Sequence, residues 1–254
     1  MIDFLKKLAF DAGKIIKEYF YQNVNVYHKG KIDLVTDIDV KVEEFIKLKL
    51  SDNFSDVSIV AEESFDGNLN FDKAFFVDPI DGTTNFVHGF PFVAVSIAYI
   101  SDDRKIGVVF NPILNEIFYA ESGKGAYLND EMINVSNTND IRNSLIATGF
   151  PYSSVERNID ELMDILEKVL KSSRGIRRAG SAAIDLCYVA KGVFDGYYET
   201  GLKPWDIVAG KIIVEEAGGA VLNKRGEVYN FSDDYIVATN GNITNELLRI
   251  LNGI

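Results

Sequence analysis

The sequence predicts a mixed α and β protein with substantial antiparallel sheet, folded as one or two intimately packed lobes. Two observations carry this. Helical and strand periodicities alternate along all 254 residues, and no Pro/Gly/Ser-rich linker, repeat or low-complexity stretch divides them. Between residues 92 and 119, apolar alternation is interrupted by turn pairs, the pattern of a meander. A unit of this length buries roughly three quarters of its unfolded surface, enough for a core without staples.

The elements follow in order. Leu5, Leu8, Ala12, Ile15, Ile16 and Tyr19 recur at helical spacing. Ile38, Val42, Phe45, Ile46 and Leu50 mark a second helix, with Thr36 or Asp37 as its N-cap. The apolar runs 57–61 and 75–77 read as strands, the second ending at Asp78. Val93, Val95, Ile97 and Tyr99 form the first meander strand. Asp102-Asp103 turns the chain into 106–110, and Asn111-Pro112 turns it into 117–120. Residues 159–170 read as a helix, and 182–190 as a short apolar helix closed near Gly192. A strand over 196–199 precedes a helix over 205–217 that Gly218-Gly219 closes. A strand at 235–238 and a helix at 246–251 complete the chain.

Composition narrows the function. Asp and Glu number 38 against 26 Lys and Arg, so the chain lacks the overall basic balance of a duplex-binding protein. Cys187 is the only cysteine, which excludes an internal disulfide and a Cys-based zinc site. With His28 and His88 the only histidines, a Ser-His-Asp triad or two-His metal motif has little material. The amphipathic N-terminus does not read as a signal peptide, and no apolar run approaches the ~20 residues of a membrane span. A soluble, cytoplasmic protein is expected.

The densest polar punctuation is Asp78-Pro79-Ile80-Asp81-Gly82-Thr83-Thr84-Asn85, after the apolar run 75–77. Pro79 biases Asp78 toward extended backbone, and Asp81-Gly82 favours a tight turn. Such a turn can bring Asp78, the Ile80 carbonyl and Asp81 together as hard oxygen ligands of the kind Mg²⁺ takes. Thr83 and Thr84 then open a turn whose N–H groups suit an anion. An ordinary connection with two solvated aspartates is the plain alternative. Glu62-Glu63 likewise ends an apolar run, and Asp206 follows Pro204-Trp205 at a helix start, where a carboxylate also serves simply as a dipole partner. If these groups converge, two like charges about 5 Å apart repel by roughly 3 kcal/mol at an effective dielectric near 20, and a divalent ion removes that repulsion.

Other phosphate chemistries fit less well. Asp37-Ile38-Asp39-Val40-Lys41 has the spacing of a DxDx(T/V) nucleophile, but its fifth residue is Lys and it opens a helix. There is no GxxxxGK(S/T) segment, and Gly123-Lys124-Gly125 lacks the third glycine of a dinucleotide fingerprint and reads as a turn.

DPIDGTTNF at 78–86 and PWDIVAGKIIVEEAGG at 204–219 resemble the two signatures of the inositol monophosphatases, Mg²⁺-dependent, lithium-sensitive sugar phosphatases. DLVTDID at 33–39, AEES at 61–64 and GSAAIDLCYVAKG at 180–192 match in order and approximate spacing. RRAGSAA followed by GLKPWD is most similar to the bacterial inositol-1-monophosphatase branch. The resemblance implies a single domain over 1–254, its lobes meeting near 140–145, as a layered αβαβα sandwich with mixed and antiparallel sheets. It implies a homodimer.

It also implies roles. Glu62, Asp78 and the Ile80 carbonyl would hold one Mg²⁺, and Asp78, Asp81 and Asp206 a second, with a third, weaker ion near Glu62. Thr83, backed by Asp39, would orient the attacking water, and Glu62 would act as base. Gly82 and Thr83 N–H groups would bind phosphate. Glu199 would accept hydroxyl hydrogens of the polyol near Gly180, Ser181 and Ala182, with Asp81 and Asp206 also lining the substrate. The role of Glu63 is left open, and the loop at Lys29 to Lys31 is expected to cover the site. The expected reaction is hydrolysis of myo-inositol monophosphate by metal-activated water. The rivals are fructose 1,6-bisphosphate, 3′-phosphoadenosine 5′-phosphate or a broad set of sugar phosphates on the same site, and, outside catalysis, a regulatory partner of transcription complexes.

Overall fold

The computed structural model describes residues 1–22, 24–28, 34–67 and 72–253. The chain begins with α1 (Ile2–Tyr19), then β1 (Val26–His28) and β2 (Leu34–Thr36), which pair antiparallel. The Lys29 to Lys31 loop lies outside the described residues. α2 (Asp37–Asn53) follows, capped by Thr36, whose Oγ1 accepts from the Ile38 and Asp39 N–H groups. Of the two candidate caps the structure uses Thr36, with Asp39 closing the reciprocal half of a capping box.

A seven-stranded sheet comes next: β3 (Ser58–Ala61), β4 (Lys73–Asp81), then, after α3 (Thr83–His88), β5 (Ala94–Ser101), β6 (Lys105–Asn111), β7 (Glu116–Glu121), β8 (Ala126–Leu128) and β9 (Glu131–Ile133). The strands lie in chain order, antiparallel throughout except for the β3–β4 pair. The expected meander is β5 to β7, and β8 and β9 extend it.

Past a short 3-10 turn at Ile141–Asn143 the chain builds a second sheet. Its elements are β10 (Leu145–Thr148), α4 (Tyr152–Ser172), β11 (Gly175–Arg177), α5 (Ala182–Ala190), β12 (Gly196–Thr200), α6 (Pro204–Glu216), β13 (Ala220–Leu222), β14 (Tyr235–Thr239) and α7 (Thr244–Leu251). The strand order is β11-β10-β12-β14-β13, with β10 parallel to both neighbours and the other pairs antiparallel. α4 is kinked at Asn158 (φ −134°, ψ 33°), and the helix expected over 159–170 is the part beyond that kink.

Strand alternation decides the layering. Phe75 and Val77 of β4 face α1 and α2, in a core with Leu5, Ile16, Val42 and Ile46. Phe76, one residue along, faces the opposite way, into a core with Ala183, Leu186 and Val208 of α5 and α6. Tyr197 of β12 enters that same central core, whereas Tyr198 faces outward to Ile165 of α4 and Leu247 of α7. The order is therefore α1/α2, seven-stranded sheet, α5/α6, five-stranded sheet, α4/α7: the αβαβα sandwich expected. Among the described residues no helix is long and apolar enough to cross a membrane.

Candidate active site

A cleft of about 570 Å³ opens where the C-terminal end of β4 meets the starts of α5 and α6. Glu62, Asp78, Ile80, Asp81, Gly82, Thr83, Gly180, Ser181, Ala182, Glu199 and Asp206 all line it. Of the sequence-predicted site residues, only Asp39 stands behind the wall.

The sequence placed the end of the strand at Asp78, and the structure corrects this. β4 continues to Asp81, and its register on β5 shifts between Asp78↔Ser96 and Asp81↔Ala94, leaving one residue extra on β4. Pro79, with no N–H to give the ladder, is tolerated in such a bulge. The bulge re-aims the backbone so that Asp78 and Asp81 reach the same cleft. Asp78 is 2% exposed, and its Oδ1 accepts from the Ile80 N–H at 3.0 Å. Gly82 then reverses the chain at φ 97°, ψ 41° and starts α3. A Cβ there would lie 2.9 Å from the Phe92 carbonyl oxygen, so both conformation and space call for glycine.

Thr83 Oγ1 lies 2.8 Å from Asp39 Oδ1 and 3.2 Å from the Ile80 carbonyl. The other Asp39 oxygen accepts from the Thr36 N–H at 2.8 Å. Across the cleft, Asp81 Oδ2 accepts from Ser181 Oγ and from the Ala183 N–H, both at 2.7 Å, which ties β4 to the first turn of α5. Asp206 Oδ2 accepts from the Lys203 N–H at 2.7 Å, so it does cap α6. Asn85 donates to the carbonyls of Phe92 (2.8 Å) and Ala179 (2.9 Å), a second tie between the walls. Glu63 N–H donates to buried Glu43 at 2.7 Å, which pins the backbone next to Glu62.

The electrostatics are dominated by crowded carboxylates. Burial first, then the charges of Glu62, Asp81 and Asp206, push the Asp78 carboxyl well above its ordinary range. Asp206 is raised for the same reasons, burial leading and Glu62 and Asp81 adding to it. Burial lifts Asp81 to about 6 against the opposing hydrogen bonds from Ser181 and Ala183. Glu199, 9% exposed, is lifted by burial to about 7, although the Tyr197 hydroxyl donates to its Oε2 and Arg178 opposes the shift.

Several lining residues had no assigned role in the sequence. Gly149, Phe150, Pro151, Leu202 and Lys203 line the cleft, as does Arg178. Phe65 packs edge-on against Trp205 with ring centroids 5.1 Å apart, forming an aromatic wall beside Asp206. Arg178 carried a signal, because it precedes Gly180 by two residues in an already suspect segment. Gly149 carried none.

The donor set fits a divalent cation. Glu62, Asp78, Asp81, Asp206 and the Ile80 carbonyl are all hard oxygen donors on one cleft, and the mutual repulsion that raises Asp78 is what such an ion would relieve. Among the described residues no three acidic side chains already form a ready-made metal cage. Asp81 and Asp206 each keep one oxygen on backbone or hydroxyl donors, so binding would draw on the remaining oxygens.

The layered sandwich and its carboxylate-lined cleft define a phosphoric monoester hydrolase of the sugar-phosphatase type. The chain matches the inositol monophosphatase family over residues 1–254, and it belongs to that family. It is 38% identical to inositol monophosphatase 3 of Solanum lycopersicum, over 99% of this chain and 96% of that protein. It is 35% identical to the fructose-1,6-bisphosphatase/inositol-1-monophosphatase of Aquifex aeolicus, over 98% of this chain and 94% of the relative. The crystal structure of the extragenic suppressor protein suhB from Bartonella henselae superposes with a TM-score of 0.92 at 39% identity, covering 99% of this chain and 98% of that one.

Proposed function

We propose that this protein is a Mg²⁺-dependent phosphomonoesterase that releases phosphate from myo-inositol monophosphate. The observation that carries the reading is the pairing of two unlike walls in one cleft. Glu62, Asp78 and Asp81 come from the β3 and β4 ends, and Asp206 and Glu199 come from α6 and β12 of the second sheet's half; the first four would hold the metal, and Glu199 would accept hydroxyl groups of the polyol.

Mg²⁺ held by Glu62, Asp78, the Ile80 carbonyl, Asp81 and Asp206, as two ions and a third near Glu62, would supply the positive charge that acidifies water and neutralises the phosphate. The chain's own groups handle binding and protons. Thr83 donates its hydroxyl hydrogen to Asp39, which leaves its lone pairs to accept from a water and aim that water at phosphorus. As the water oxygen bonds to phosphorus and the ester P–O bond breaks, Glu62 receives the water's proton and the departing inositol oxygen takes its proton from solvent. The Gly82 and Thr83 N–H groups hold phosphate oxygens at the start of α3. Gly180, Ser181 and Ala182 shape the polyol side, where Glu199 accepts ring hydroxyls. No covalent intermediate is required, which suits a cleft lined, among the described residues, by neither histidine nor cysteine.

Membership of a family with a dual-named Aquifex relative supports a second reading, in which fructose 1,6-bisphosphate shares the site. A phosphate-release panel with Mg²⁺ separates the two, comparing inositol 1-phosphate, fructose 1,6-bisphosphate and 3′-phosphoadenosine 5′-phosphate. The highest kcat/KM on inositol 1-phosphate is expected, and a clear preference for either other substrate would overturn the assignment. A cytoplasmic homodimer is the working assembly, checked by light scattering and cell fractionation.

A further inference from the structure

Glu199 sits in a socket whose two sides belong to residues that no substrate need touch. Tyr197, two residues earlier on β12 and fully buried, points to the same face and donates its hydroxyl hydrogen to Glu199 Oε2. The other side is Gly149. β10 and β12 run parallel with Ala147↔Tyr197 and Thr148↔Tyr198 in register, so the next step along brings Gly149 beside Glu199. Side chains at such paired positions point to the same face of a sheet. A Cβ on Gly149 would lie 2.0 Å from Glu199 Oε2 and 2.2 Å from Oε1 and Cδ. No other glycine among the described residues would bring a Cβ so close to another atom. The carboxylate occupies the space a side chain at 149 would fill. Asp185, 1% exposed, and Arg178 also face Glu199 through their charge, Asp185 from α5 and Arg178 from the segment before it.

We propose that Gly149 is a specificity-determining positioning residue. Its missing side chain, opposite the Tyr197 hydroxyl, fixes Glu199 with Oε2 engaged and Oε1 free for the cleft, where it accepts hydroxyl groups of a polyol phosphate. The inference rests on the reading of Glu199 as the polyol acceptor. Gly149 does not have a positive φ, so alanine is compatible with its backbone. The atoms it would strike are the far end of a flexible side chain. Gly149→Ala should therefore swing Glu199 out of place and leave the sheet intact.

The test uses the full chain with Mg²⁺ and two substrates, inositol 1-phosphate and p-nitrophenyl phosphate, which has no ring hydroxyls. The readout is the ratio of their kcat/KM values, with kcat and KM resolved. Gly149→Ala is expected to lower the ratio at least tenfold, mainly through the KM for inositol 1-phosphate. Tyr197→Phe should lower it in the same direction, and serves as the deciding variant if Gly149→Ala does not fold. In a Glu199→Ala background, adding Gly149→Ala should leave the ratio within twofold, because nothing remains to displace. An unchanged ratio in Gly149→Ala or Tyr197→Phe, or an equal further loss in the Glu199→Ala background, overturns the inference. If Glu199→Ala alone leaves the ratio unchanged, the acceptor reading fails and the inference falls with it. If Glu199→Ala shifts the ratio and Gly149→Ala does not, only the inference falls.

Discussion

Asp39 Oδ1 lies 2.8 Å from Thr83 Oγ1, while the other oxygen of the same carboxylate accepts from the Thr36 N–H that opens α2. One buried side chain thus holds a helix start and the orientation of a cleft hydroxyl. Asp39→Asn replaces an oxygen with a donor, and each position already faces a donor. The expected result is a fall in kcat of about 10²-fold with little change in KM. A loss of about 1–2 kcal/mol in stability from the mismatched hydrogen bond should accompany it. Steady-state kinetics beside urea unfolding check both, and parental kcat would remove Asp39 from the water-orienting relay.

Asp206→Asn separates repulsion from capping. The amide keeps an oxygen for the Lys203 N–H, so the α6 cap survives while a crowded charge is lost. Without metal the variant should melt above the parent, and its gain on adding Mg²⁺ should be smaller. A ligand at a hundredfold excess over Kd adds about 2.7 kcal/mol. For a chain of this size that is several degrees, at roughly 2–4 °C per kcal/mol. Paired melting curves with and without Mg²⁺ read this out. A lower melting point for the metal-free variant would make Asp206 chiefly a helix cap.

Acid should strengthen the metal-free fold. Glu199 at about 7 and Asp81 at about 6 sit above their unfolded values, so the native state binds their protons more tightly. That stabilisation is fully present below the unfolded values, near pH 4, and is lost as pH rises through the folded ones. In chelator, the urea midpoint should therefore be higher at about pH 5.5 than at about pH 8, with Glu199→Gln flattening the difference. A midpoint that rises with pH would contradict the sign.

Trp205 offers an optical handle. It is the sole tryptophan, is 6% exposed, and precedes Asp206 while packing against Phe65. Mg²⁺ should change its emission with saturation, and Phe65→Ala should red-shift it by admitting water. Asp206→Asn should move the Mg²⁺ titration midpoint upward. Emission indifferent to Mg²⁺ would place the ion away from this wall.

What the sequence disclosed depended on how local the cause was. α1, α2, α5 and α6 were legible because their apolar spacing lies within the element and the Thr36 cap of α2, Gly192 after α5 and Gly218-Gly219 after α6 lie next to it. β10, β11 and β13 are runs of three or four residues that become strands only by pairing with segments far along the chain. The bulge that carries β4 past Pro79 needs β5 beside it, so the strand was read as ending too soon. The site divides in the same way. Asp78 and Asp81 stand in the densest polar segment, Glu62 ends an apolar run beside Glu63, and Asp206 stands at a Pro-marked helix start, so each carried a local signal. Gly149 acquires meaning only from the register of β10 on β12, which no spacing within its own segment encodes.

The tie between Asp81 and α5 spans 100 residues to Ser181 and 102 to Ala183. During synthesis the first sheet can therefore be complete on the ribosome while half of its cleft has yet to be translated, and Asp206 must also emerge before the carboxylate set is whole. An interrupted chain that stops before α5 would carry cleft carboxylates and no partner wall, and one that stops before α6 would still lack Asp206. Catalytic competence in this architecture is thus a late acquisition of the growing polypeptide, and phosphate release doubles as a report that translation reached the final third.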